Sequence, residues 1–149
     1  MVSRRNALSN FDIINIIQSQ DVKDFNGVYM KDQLPEKLKR GSYIINLQSA
    51  NEGGGTHWCA FYKTDNFSYY YDSYGFIAPL EVQNKIKPYM YNDNEIQDIN
   101  STACGYYCLA FVLFMHKKNN IEMAFHTFIN LFKKDTELNE KILYRILYE

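Results

Sequence analysis

Cysteine, proline, glycine and tryptophan are all scarce in this chain, and each scarcity removes a class of protein. The 149 residues hold three cysteines, three prolines, seven glycines and one tryptophan. The cysteines, Cys59, Cys104 and Cys108, are odd in number and lack scaffold spacing, so a disulfide framework is not expected and a reducing compartment is. So little proline and glycine excludes collagen-like and linker-rich chains. A bilayer span is missing as well. The longest apolar stretch, Ala103 to Met115, covers 13 positions broken only by Gly105, against the roughly 20 a span needs. The N-terminal segment, with Arg4 and Arg5, lacks the apolar core of a secretory signal. Excess charge of either sign is absent: 16 basic and 17 acidic side chains leave a formal charge of −1, and residues 51–100 carry seven acids against three bases. A dedicated DNA-binding domain shows a basic face, so nucleic acid is not the expected main partner.

What the chain does have is apolar and aromatic bulk. Hydrophobic residues make up 46%, with 13 Tyr and 10 Phe. That fraction with almost no net charge excludes intrinsic disorder. The length suits one domain over 1–149, able to bury roughly 70% of its unfolded surface.

Local signals divide the chain. Ser9 or Asn10 can cap a helix whose apolar faces come from Phe11, Ile13, Ile14, Ile16 and Ile17. Residues 19–42, punctuated by Gly27, Pro35 and Gly41, read as irregular. Tyr43 to Leu47 reads as a central strand, and Gly53-Gly54-Gly55 as part of a flexible loop over 51–56. His57 to Lys63 and Tyr69 to Ser73 form two strands of a hairpin turning near Thr64-Asp65-Asn66. A helix from Leu80 to Lys87 stops at Pro88. Residues 91–103 are polar loop, an apolar helix begins at about Cys104, and two amphipathic helices follow over roughly 120–134 and 138–148. Strands bracketed by helices without strict alternation give an α+β fold, a small mixed sheet against a central buried helix.

Two geometric constraints follow. If the hairpin turn centres between Thr64 and Asp65, His57 lies opposite Asp72. If it centres on Asp65-Asn66, His57 faces Tyr74 and Asp72 is its diagonal neighbour on the same face. Either register joins imidazole and carboxylate, and a carboxylate accepting from one ring nitrogen fixes the tautomer and supports an imidazolium. An incidental surface pair is the alternative. Cys104 sits where the polar stretch Asn100-Ser101-Thr102-Ala103 meets the apolar helix, so helix amides and dipole favour its thiolate. Gly105 beside it would let a substrate backbone approach closely. Cys108, one turn deeper, and Cys59, on a strand, read as core. Gln97, seven residues before Cys104, carries an amide able to donate to an oxyanion together with the Cys104 N–H.

The order His57, Asp72, Gln97, Cys104 disfavours a papain-type architecture, in which the cysteine comes first. The chain resembles the adenain-like maturation proteases of double-stranded DNA viruses, virophages and related mobile elements, a family related to the SUMO-deconjugating cysteine proteases. The resemblance rests on Gly54-Gly55-Thr56-His57-Trp58-Cys59-Ala60-Phe61, on Tyr71-Asp72-Ser73-Tyr74-Gly75-Phe76 and on the block from Gln97 to Cys108. Upstream, Phe25-Asn26-Gly27-Val28-Tyr29 with Asp32 and Leu34-Pro35 adds to it. It spans about 25–115; residues 116–149 match nothing. The resemblance implies an adenain-like fold and a thiol endopeptidase with Cys104 as nucleophile, His57 as base, Asp72 as orienter and Gln97 as oxyanion donor. Adenovirus members have Glu where this chain has Asp72. Trp58 would help roof a groove too narrow for side chains, which matches the family's use of substrates with Gly at or before the cleaved bond. Viral structural protein precursors are the implied substrates, with a ubiquitin-like protein as the alternative, in the virion and host cytoplasm. A peptide activator is an implied partner; DNA dependence is not expected at this charge. No cofactor, metal or membrane is called for, and a monomer is expected.

Two alternatives from other classes stand beside this. His57, Cys59, Cys104 and Cys108 offer a Cys₃His zinc set, though at a non-standard spacing. A protease-like fold could also act as a binding module with vestigial catalytic residues.

Overall fold

A computed structural model describes residues 7–48 and 57–148. The glycine loop expected over 51–56, and Arg4 and Arg5, lie outside the described residues.

Helix α1 (Asn10–Ser19) starts where its cap dictates. Ser9 Oγ accepts from the Asp12 N–H at 3.2 Å and Asp12 Oδ2 accepts from the Ser9 N–H at 2.9 Å, a reciprocal capping box. Strands β1 (Phe25–Met30), β2 (Gly41–Asn46), β3 (Trp58–Lys63), β4 (Ser68–Tyr71) and β5 (Tyr89–Tyr91) form one sheet in the order β1-β2-β3-β4-β5. The two outer pairings are parallel and the two inner ones antiparallel. Helix α2 (Leu80–Ile86) precedes β5; α3 (Cys104–Met115), α4 (Ile121–Asn130) and α5 (Thr136–Tyr148) complete the chain.

The central strands are buried on both faces, which explains their continuous apolar runs. On one face Ile44, Ala60, Tyr62, Tyr69 and Tyr71 pack with α1, α3, α4 and α5; on the other, Tyr43, Ile45, Cys59, Phe61 and Tyr70 pack with Leu34 and with Val82 and Ile86 of α2. Helix α3 is apolar around its circumference, and nine of its twelve residues are buried, as a helix enclosed on all sides requires. The Tyr71 ring stacks on Phe111 of α3 at 5.4 Å between centroids, which ties the sheet to that helix. The expected architecture, a mixed sheet against a central buried helix bearing Cys104, is the one observed.

Two expectations need correction. The segment 19–42 is not irregular throughout: it contains β1. This edge strand is only half-buried along its length, and Gly27, at φ 122°, sits where its register with β2 shifts between Phe25 and Val28. No clean alternation survives there to be read. The polar stretch 91–103 likewise begins on β5, a three-residue edge strand held by pairing with β4. Among the described residues, no helix is long and apolar enough to cross a membrane.

Candidate active site

The hairpin places the first two groups. Ala60 pairs with Tyr71 and Lys63 with Ser68, which is the register centred on Asp65-Asn66. His57 directly precedes β3 and Asp72 directly follows β4, at the same end of the two strands. As that register demands, His57 faces Tyr74: their rings stack at 4.6 Å with 23° between planes. Asp72, the diagonal neighbour, accepts from His57 Nε2 at 2.9 Å through Oδ1. The His57 carbonyl accepts from the Leu47 N–H at 3.0 Å, so β2 fixes the backbone beneath the imidazole.

Asp72 is fully buried. Its Oδ1 also accepts from the Tyr74 N–H at 2.8 Å, while Oδ2 is buried without a hydrogen-bond partner among the described residues. Asn92 clamps the Asp72 backbone from both sides, accepting from its N–H at 3.0 Å and donating to its carbonyl at 2.6 Å. A tight turn follows, closed by the Gly75 N–H donating to the Asp72 carbonyl at 2.8 Å. Gly75 has φ 81°, and a Cβ there would sit 2.7 Å from the Asn94 carbonyl oxygen, so only glycine fits.

Cys104 is the first residue of α3 and 8% exposed. The opening N–H groups of that helix have no intrahelical acceptor, which makes its tip a receptor for negative charge. The thiol acts on the His57 imidazole and favours its charged form; with Nε2 taken by Asp72, Nδ1 is the ring nitrogen left for a sulfur. Burial opposes the imidazolium, but the hydrogen bonds with Asp72 and Cys104 and the charges of both outweigh it, and the His57 pKa is pushed up to about 9. An imidazolium with a carboxylate on one edge and a sulfur on the other is poised for proton transfer. The Tyr74 ring against its face adds an attraction for the cationic form.

Gln97 is fully buried in the connection from β5 to α3. Its Oε1 accepts from Ser73 Oγ at 2.5 Å, and its Nε2 donates to the Ser101 carbonyl at 3.0 Å. These contacts orient the carboxamide and, among the described residues, leave one Nε2 hydrogen uncommitted. Its backbone N–H donates to the Ser73 carbonyl at 2.8 Å. The four residues singled out from the sequence thus form one connected arrangement. His57 pairs with Asp72 and is influenced by Cys104, and Gln97 is braced between Ser73, next to Asp72, and Ser101, three residues before Cys104.

Trp58 and Gly105 adjoin that arrangement. Trp58 is 6% exposed, and its indole N–H donates to the Leu8 carbonyl at 3.1 Å. A Cβ on Gly105 would lie 3.1 Å from Leu8 Cβ and 3.4 Å from the Trp58 ring. Leu8 thus packs beside both residues expected to meet a substrate.

The zinc alternative is not what the geometry brings together. Among the described residues, the possible metal-ligand atoms that come within 4.8 Å of one another belong to His57, Cys59 and Asp72, without Cys104 or Cys108. Cys59 packs in the cluster beneath α2 and Cys108 in the one around α3, on opposite faces of the sheet. Burial pushes both thiols well above the usual range, which keeps them neutral core residues. Asn92, Ser73 and Tyr74 are site residues that sequence reasoning missed as such. Tyr74 alone was signalled, as the partner of His57 in one register; the side-chain roles of Ser73 and Asn92 left no pattern.

No family model and no curated protein sequence matches the chain. Its structure is similar to the crystal structure of the ASFV pS273R protease, with a TM-score of 0.56 at 17% sequence identity. The match covers 93% of this chain and 66% of that one, so this chain spans just under two-thirds of the length of its structural neighbour. The two chains share a fold.

Proposed function

We propose that this protein is a cysteine endopeptidase that processes precursors of viral structural proteins at glycine-containing sites. The observation that carries the proposal is the imidazole of His57 paired with the Asp72 carboxylate at 2.9 Å and raised in pKa by the Cys104 thiol at the tip of α3. Likeness in fold to a viral protease supports it. The resemblance of the blocks around His57 and from Gln97 to Cys108 to adenain-like proteases points the same way.

The reaction follows from the roles. His57 takes the thiol proton, and the Cys104 thiolate attacks the scissile carbonyl carbon. The carbonyl π electrons move onto oxygen, where the free Nε2 hydrogen of Gln97 and the Cys104 N–H receive the charge. Collapse of the tetrahedral intermediate expels the amine, which takes its proton from His57. Neutral His57 then activates water, and the water hydrolyses the thioester and restores the thiol. Asp72 holds the ring and stabilises its cationic form throughout without being protonated.

The test is purified protein with peptides containing Gly-Gly, and mass-spectrometric identification of the cleaved bond in a capsid precursor. Cleavage by the parent and none by Cys104→Ala is expected. Equal cleavage by Cys104→Ala would remove the assignment. A ubiquitin-like precursor incubated in parallel separates the two substrate classes.

A further inference from the structure

Residues 116–149 have no place in the chemistry above, yet α5 makes two contacts with the segment that delivers it. Asn139, fully buried, donates through Nδ2 to the Ile96 carbonyl at 2.8 Å and to the Lys133 carbonyl at 2.9 Å, and accepts from the Lys133 N–H at 2.7 Å. One helical position on, Glu140 accepts a hydrogen bond from Ser101 Oγ. Ile96 directly precedes Gln97. Ser101 is the junction of the segment: its Oγ accepts from the Ala103 N–H at 3.1 Å and its carbonyl accepts from Gln97 Nε2 at 3.0 Å. The segment 96–103 is thus pinned at one side by Ser73 and at the other by α5. The orientation of the Gln97 amide relative to the tip of α3 depends on both.

We propose that α5 is a positioning element for oxyanion stabilisation, with Glu140 and Asn139 as positioning residues that set Gln97 and the Cys104 N–H against each other. This rests on the protease reading. Without Glu140, Ser101 loses the acceptor that fixes its hydroxyl, and the carbonyl that orients Gln97 Nε2 gains freedom. His57, Asp72 and the thiol are held by the sheet and by α3, so the nucleophile is unaffected. Glu140 is half-buried beside an open cavity of about 330 Å³ lined also by Asp98, Ser101 and Glu137, so its replacement leaves the core untouched.

The experiment compares two rates on the full chain: peptide cleavage, which needs the oxyanion donors, and alkylation of Cys104 by iodoacetamide, which needs only the thiolate. Glu140→Ala is expected to lower kcat roughly tenfold, about the effect of one hydrogen bond to a charged group. KM and the alkylation rate should stay within about twofold of the parent. Glu140→Gln, which keeps an acceptor oxygen for Ser101, should recover most of kcat. Asn139→Asp, which keeps the acceptor for the Lys133 N–H and loses the donors to the Ile96 and Lys133 carbonyls, should also lower kcat with alkylation preserved. Glu140→Ala cleaving at the parental rate, alkylation falling in step with kcat, or no recovery with Gln would each overturn the proposal. A parent that alkylates rapidly but cleaves no peptide would instead fail the protease reading itself.

Discussion

The base and the oxyanion donor are held in opposite ways. His57 and Asp72 stand at the end of a two-stranded ladder, and their meeting follows from period-two geometry and a turn of fixed length. Gln97 stands in a connection without regular structure: its backbone N–H donates to the Ser73 carbonyl, and its amide is oriented by one hydrogen bond each with the Ser73 hydroxyl and the Ser101 carbonyl and, at one remove, by α5. The first arrangement is written into neighbouring sequence and buttressed by backbone pairing. Besides Ser101, four residues on, the second draws Ser73 from 24 residues away and, through Ile96, Asn139 from 43. A proton-transfer pair thus rides on the most rigid part of the fold, while charge stabilisation depends on contacts that individual substitutions can loosen.

Variants on each side should separate these two supports. The largest effect belongs to Asp72→Asn on the sheet side, because the neutral amide favours the wrong tautomer and withdraws support for the imidazolium. A loss of about 10²- to 10⁴-fold in kcat is expected, and the alkaline limb of the pH–rate profile, set near 9 by His57, should fall toward the ordinary imidazole value of 6.5. An unchanged limb would take Asp72 out of its role. Gln97→Ala, on the loop side, should lower kcat by about 10²- to 10³-fold and leave the alkaline limb where it is. A limb that moved would mean that the two supports are not separate.

Stability offers a second contrast. The folded His57 value of about 9 lies above the unfolded value of 6.5, so folding takes up a proton between them. The stabilisation is fully present below pH 6.5 and is lost as pH rises through 9, by at most about 3 kcal/mol. Urea unfolding at pH 6.5 and pH 9 should register that fall, and Asp72→Asn should flatten it; a parent whose midpoint did not change would contradict the paired imidazolium. Gly75→Ala, forced into positive φ and against the Asn94 carbonyl, should reduce stability by about 1–3 kcal/mol, visible as a lower thermal midpoint. Ser73→Ala should have the smallest effect on catalysis, roughly fivefold in kcat, because Gln97 keeps its bond to Ser101. A larger loss than that of Gln97→Ala would assign Ser73 a role beyond orienting the amide.

Much of the scaffold was legible because its signals are local. The capping box of Ser9 and Asp12 started α1 where expected, and the uniformly apolar run after Cys104 announced a helix buried on all sides. The hairpin was legible up to a choice of register, which the Ala60–Tyr71 pairing settled. The edge strands β1 and β5 were not, since one carries a register shift at Gly27 and the other has three residues; both exist by virtue of their neighbours. Asn92, Asn139 and Glu140 were unreadable for a related reason. Each acts through a hydrogen bond to a residue far along the chain, and no spacing rule marks a lone Asn or Glu for such a contact.

By itself the sequence determined the elements whose energetics are local or periodic: caps, apolar faces, a tight turn, and thereby the approach of His57 to Asp72 and the setting of Cys104 at a helix tip. Only the tertiary structure decided which ring nitrogen meets which partner, how Gln97 is oriented, that Leu8 packs beside Gly105, and that the last helix braces the loop. Those outcomes depend on side chains meeting across long stretches of chain, where the free energy of a single contact is small beside the entropy of bringing its partners together. The packed core around α3 supplies that difference.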